Sequence, residues 1–88
     1  RDITGFRKVS CMSPLSNTLG QRIRNARKSA GLSQEMLALK AKVDRSYMGR
    51  IERGEANITV DMLYQIALVI GVSPDTLLPD MNTVTFGD

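Results

Sequence analysis

The sequence predicts an all-α fold of five short helices. Three observations carry this expectation. Apolar residues recur every three or four positions from Leu19 to Leu78, the period of a helix rather than a strand. Each apolar stretch follows a capping-type residue: Thr18, Ser33, Asp44, Thr59 or Ser73. Each later closes on a breaker such as Gly31, Gly54, Gly71 or Pro79.

The elements follow in order. Thr18 is the expected N-cap of the first helix, with Gln21 as its capping-box partner. Leu19, Ile23, Ala26 and Ala30 give that helix its inner stripe, and Gly31 ends it. Ser33 caps a second helix with Leu37, Ala38 and Ala41 inward. Asp44 caps a third, with Tyr47, Met48 and Ile51 inward and Gly54 as its stop. Thr59 opens a fourth, buried through Met62, Leu63, Ile66, Ala67 and Ile70 and closed by Gly71. Ser73-Pro74-Asp75 opens a fifth, with proline at the first helical position and Leu77 and Leu78 inside. Ile3 to Met12 and Thr83 to Phe86 are β-branched and aromatic, and read either as tails or as a small paired strand. The expected organisation is an N-terminal extension at 1–15, a folded domain at 16–79 and a C-terminal tail at 80–88.

Composition bounds the function. An apolar content of 42% with net charge +3 fits one globular domain, not a disordered chain. No apolar run reaches the length of a membrane span, and Arg1 to Lys8 lacks the apolar core of a signal peptide. The single cysteine, Cys11, has no internal disulfide partner, which points to the cytoplasm. An enzyme is not expected: there is no histidine to act as general base or to activate Cys11. No two-cysteine cluster suggests a metal, and no glycine-rich phosphate loop suggests a nucleotide. No cofactor or small-molecule ligand is indicated.

Charge is unevenly placed. Residues 16–54 carry nine bases and three acids, whereas residues 55–88 carry five acids and no base. One face should therefore seek a polyanion and another avoid it. Within the basic part, Ser33 to Gly54 reads as two short helices around a tight turn, the second studded with arginines. That is a helix-turn-helix, a device that lays its second helix into the DNA major groove.

With Tyr47, Met48 and Ile51 inward, the outer face of the third helix is Arg45, Ser46, Gly49, Arg50 and Arg53. Arg45 and Ser46 sit at the N-terminal end, the part of a recognition helix that reaches base edges. Arg45 and Arg50 can each give guanine two hydrogen bonds, unless they are merely solvated. Gly49 is expected to allow close approach to DNA. Gln34, at the positive end of the second helix, suits a phosphate oxygen, the alternative being a solvent-facing amide. Arg53, Asn57, the Tyr47 hydroxyl and Lys42 are further phosphate candidates, and Arg22, Arg24 and Lys40 add diffuse attraction. Arg27 and Glu52 fall near the inner sides of their helices and read as a structural ion pair.

Gly31-Leu32-Ser33-Gln34-Glu35, Leu37-Ala38 and Ile51-Glu52-Arg53-Gly54 together resemble the phage-repressor-like (Xre or Cro type) helix-turn-helix family. Val43 to Tyr47, followed by Glu52-Arg53-Gly54 and Asn57, also looks like the controller proteins of restriction–modification systems. The resemblance covers Leu19 to Leu78. It implies a five-helix, cytoplasmic, usually dimeric operator-binding transcription regulator. It also implies that Gln34 holds phosphate, that Arg45, Ser46 and Arg50 face bases, and that Arg27 pairs with Glu52. Lys42 departs from the family, in which glycine is common at this turn. A homodimer on double-stranded DNA is the expected assembly, paired through Val72, Leu77 and Leu78 or else through the termini. The competing expectation is a protein-binding adaptor or antitoxin-like module that uses the same fold.

Overall fold

The structure, a computed structural model, describes residues 14–80. Four α-helices follow one another: α1 (Pro14–Ser29), α2 (Gln34–Ala41), α3 (Arg45–Glu52) and α4 (Val60–Ile70). A single 3-10 turn, Pro74–Leu77, closes the domain. The fold is all-helical among the described residues, but the expected fifth helix is only this turn. Four residues between Ser73 and a chain-stopping Leu78-Pro79 are too few for α-helical bonding to become established. The expected strand or tail segments, Ile3 to Met12 and Thr83 to Phe86, lie outside the described residues.

Three caps stand where the capping residues predict them. The side-chain oxygens of Ser33, Asp44 and Thr59 accept from the backbone N–H of Met36 (3.0 Å), Tyr47 (3.2 Å) and Met62 (3.1 Å). The first helix differs. It begins at Pro14, so Thr18 lies inside it and is no cap. Pro14 supplies a pre-set φ and forfeits no bonded N–H there, and half-buried Leu15 extends the Leu19–Ile23 stripe by a turn. The boundary expected after residue 15 therefore falls inside a helix.

Twelve apolar residues make one core, in which Ile23, Leu37, Met48, Ile51, Ile66 and Leu77 are fully enclosed. Helix α1 crosses α3, and α2 packs on both α3 and α4. The 3-10 turn docks on α1 and α4, held in part by Arg22, whose guanidinium donates to the Thr76 carbonyl at 3.3 Å. At the α1–α3 crossing, Gly20 brings two backbones together. A Cβ there would stand 2.8 Å from the Glu52 carbonyl oxygen, and backbone has little room to yield.

The turn between α2 and α3 takes an unusual residue. Lys42 is left-handed, at φ 60 and ψ 43, and no other non-glycine among the described residues has positive φ. The geometry is that of a helix end whose last carbonyls are taken by the turn. The Val43 N–H reaches the Ala38 carbonyl at 2.9 Å, and the Lys42 N–H reaches that of Leu39 at 3.2 Å. Val43 is buried behind it. These bonds and that burial offset a steric cost of about 1–2 kcal/mol for an L-residue in this region.

Candidate nucleic-acid interface

Asp44 starts α3 in the register that buries Met48 and Ile51 and turns Arg45, Ser46 and Arg50 to solvent. Ser33 starts α2 with Gln34 as its first residue, beside α3. The result is an open concavity of 380 Å³ lined by Gln34, Arg45, Ser46, Gly49, Arg50 and Arg53. Its rim is cationic, because Arg45, Arg50 and Arg53 are all exposed. Guanidinium groups gathered on one short helix face have the chemistry to meet phosphate oxygens or base edges.

A buried ion pair supports it from below. The Arg27 Nε donates to Glu52 Oε2 at 2.8 Å and its Nη2 to Glu52 Oε1 at 3.1 Å. A third Arg27 bond, from Nη1, reaches the Leu32 carbonyl at 2.8 Å. The side chains are only 10% and 2% exposed. The same Glu52 Oε1 accepts from Gln34 Nε2 at 3.1 Å. One carboxylate therefore fastens α1 to α3 and also aims the amide at the concavity. The second task is not legible from the sequence, because an amide at a helix start reads as facing phosphate or solvent and gives no sign that it turns to a carboxylate.

Four sequence expectations take a different form here. Gly49 is buried, not projecting: a Cβ on it would lie 3.1 Å from Arg53 Nη1 and 3.4 Å from Gln34 Oε1. It is the floor on which the chain's own side chains rest. The Tyr47 hydroxyl donates to the Asn57 carbonyl, so its proton is not open to a phosphate. Tyr47 instead pins the 54–59 loop to α3, with the Arg50 guanidinium 5.9 Å from its ring centre. Asn57 belongs to a separate, more apolar hollow with Leu15, Leu19 and Leu63. Lys42 is exposed at the α2–α3 turn and does not line the concavity.

Glu55 takes a place that periodicity does not foresee. Gly54, at φ 78, reverses the chain so that the Glu55 N–H bonds to the Arg50 carbonyl at 2.8 Å. No side chain fits at Gly54, where a Cβ would lie 2.9 Å from Asn17 Cα. The reversal lays Glu55 back against α3. Its carboxylate Oε1 meets Arg53 Nε at 3.2 Å, and its carbonyl accepts from Arg50 Nη2 at 3.4 Å. The sequence signal was an acid directly after Arg-Gly at a helix stop. No group of three or more potential metal ligands occurs among the described residues, nor does a helix long and apolar enough to cross a membrane.

An arginine-bearing second helix set in a helix-turn-helix, on a compact helical support, defines a class: DNA-binding transcription regulators. Residues 23–77 match the helix-turn-helix model HTH_3, and the chain belongs to that family. It is 39% identical over 66 residues to the control protein C.BamHI of Bacillus amyloliquefaciens, covering 74% of this chain and 80% of that protein. It is 38% identical to the transcriptional regulator SinR of Bacillus subtilis, covering 77% of this chain and 62% of SinR. Among solved structures, the restriction–modification controller protein C.AhdI from Aeromonas hydrophila superposes with a TM-score of 0.70 at 38% identity, covering 72% of this chain and 96% of that one. SinR in complex with DNA superposes with a TM-score of 0.65 at 42% identity, covering 67% and 95% of the two chains.

Proposed function

We propose that this chain is a homodimeric, sequence-specific operator-binding regulator whose reading head is α3. The observation that carries this reading is the convergence of Gln34, Arg45, Ser46, Arg50 and Arg53 on one cationic concavity. In it, Arg45 and Arg50 meet guanine edges, with Ser46 beside them. Gln34 and Arg53 hold phosphates, and the Glu52 carboxylate keeps Gln34 in position. Similarity to the C.BamHI and C.AhdI controllers supports a controller role in the cytoplasm, which a methyltransferase gene adjacent to this one would distinguish from other regulatory roles.

The pairing surface is placed on α4 in preference to the expected Val72, Leu77 and Leu78, of which only Leu78, at 45%, is well exposed. Leu77 is 1% exposed, sealed in its own core, and Val72 packs against that core. Val60, Tyr64 and Leu68 lie one helical turn apart and are 69%, 58% and 82% exposed. A stripe of this kind suits a self-complementary two-fold contact. Two copies paired there would present α3 to half-sites about one helical turn, 34–36 Å, apart.

The test is a binding selection on randomised duplex DNA with wild type and Arg45→Ala. Relaxed preference at one base position supports direct readout; uniformly weaker binding moves Arg45 to the backbone. Binding that ignores salt would instead favour the protein-binding adaptor. Sedimentation of Leu68→Glu tests the pairing face: an unchanged dimer refutes it.

A further inference from the structure

We propose that Glu55 is an internal competitor of DNA phosphate for Arg53, and that it restrains sequence-independent affinity. The inference rests on the DNA-binding reading above. The other acids near α3 are committed elsewhere. Asp44 accepts from the Tyr47 N–H as the helix cap, and Glu52 is buried under Arg27 and Gln34. Glu55 is the acid laid against the cationic rim, with its carboxylate on Arg53 at 3.2 Å. Both side chains are accessible, at 58% for Arg53 and 40% for Glu55, so the pair can open and exchange partners.

Geometry makes this more than incidental pairing. Gly54 fixes where the chain returns, and the Glu55 N–H is tied to the Arg50 carbonyl. The Glu55 backbone is therefore fixed at the end of α3, with its carboxylate in reach of Arg53. The Arg53 guanidinium in turn lies over Gly49, beside Gln34 Oε1. In the free protein, Arg53 already has a carboxylate partner where phosphate would arrive. A phosphate that takes Arg53 must break that pair and leave Glu55 beside a polyanion. The charge of Arg53 then displaces DNA counterions only in part. This penalty applies to every DNA sequence, because phosphate contacts carry no base information. Contacts from Arg45 and Ser46 to bases are untouched by it.

The experiment is fluorescence anisotropy on a random-sequence duplex across a salt series, with wild type, Glu55→Gln, Arg53→Gln and the double variant. Glu55→Gln keeps the shape of the side chain and removes its charge. It is expected to tighten binding by about two- to fivefold at low salt, the scale of one exposed ion pair. The slope of log affinity against log salt should steepen by up to about 0.9, one further phosphate contact. The gain should shrink as salt screens both partners. In the Arg53→Gln background, Glu55→Gln should add little, because the competed residue is gone. Unchanged or weaker binding by Glu55→Gln overturns the inference while leaving the DNA-binding reading intact. So does an equal gain with and without Arg53, which would mean plain repulsion. Wild-type protein that fails to bind duplex DNA overturns both.

Discussion

Replacing Glu52 with alanine should unfold this domain long before it changes which bases the protein prefers. The Arg27 guanidinium makes two bonds to that carboxylate and one to the Leu32 carbonyl. Glu52→Ala leaves the last and removes the other two, inside a site where Arg27 is 8% exposed. Removing one partner of a buried pair costs ~3–5 kcal/mol, mostly the uncompensated charge left behind. A chain of this size is stable by roughly 4–13 kcal/mol, at 0.05–0.15 kcal/mol per residue. The substitution therefore consumes a large share of the total. At 4–8 °C per kcal/mol for small domains, the melting temperature should fall by ~12 °C or more. The assay is thermal unfolding by far-ultraviolet circular dichroism, at one protein concentration because a dimer's stability varies with it. Arg27→Met combined with Glu52→Leu should recover most of the loss, since no lone charge remains. Below its transition, Glu52→Ala should keep the base preference of the wild type while binding all DNA more weakly, because Gln34 has lost its anchor. A Glu52→Ala melting curve within ~3 °C of wild type would refute this account.

Other perturbations separate the remaining roles. Gly20→Ala should cost ~1–3 kcal/mol or more despite alanine's better helix propensity, because its Cβ meets the backbone of α3; an unchanged urea midpoint would contradict the close crossing. Lys42→Gly should stabilise by up to about 1 kcal/mol by relieving the left-handed strain, read as a raised melting temperature. If the same variant loses DNA affinity and salt slope, Lys42 touches phosphate; unaltered DNA binding assigns it to the turn alone. Asp44→Ala should cost ~1 kcal/mol through the lost α3 cap, measured by urea unfolding. Arg45→Ala should lose about 1–3 kcal/mol of discrimination at one base pair, measured by competition between operator variants.

Much of the fold was legible because its signals are local. Ser33, Asp44 and Thr59 cap where a short oxygen precedes an apolar period, and Gly31, Gly54 and Gly71 all take positive φ. The start of α1 was misplaced because Thr18 has the chemistry of a cap without its position. A helix boundary is set by where packing stops, and Leu15 still has packing to gain. The last element was misjudged for the opposite reason. Its cap and proline are sound signals, but Ser73 makes no side-chain cap to the backbone and only a 3-10 turn follows.

At the candidate site, periodicity alone selected the outward faces of Arg45, Ser46 and Arg50. It could not foresee that Gly49 would be covered by Arg53 and Gln34, or that the Tyr47 proton would go to the Asn57 carbonyl. Those outcomes depend on side chains reaching across a turn. The same is true of Glu55, whose placement follows from one left-handed glycine.

From its residues alone, the chain determined a run of helices, their caps and stops, and a cationic second helix in a helix-turn-helix. Helical period, capping and charge all act within a few residues. Only tertiary packing decided that Glu52, besides pairing with Arg27, also holds Gln34, that Leu77 is sealed inside, and that Val60, Tyr64 and Leu68 are left to solvent. Those depend on how distant segments cross, and crossing is governed by close packing around sites such as Gly20.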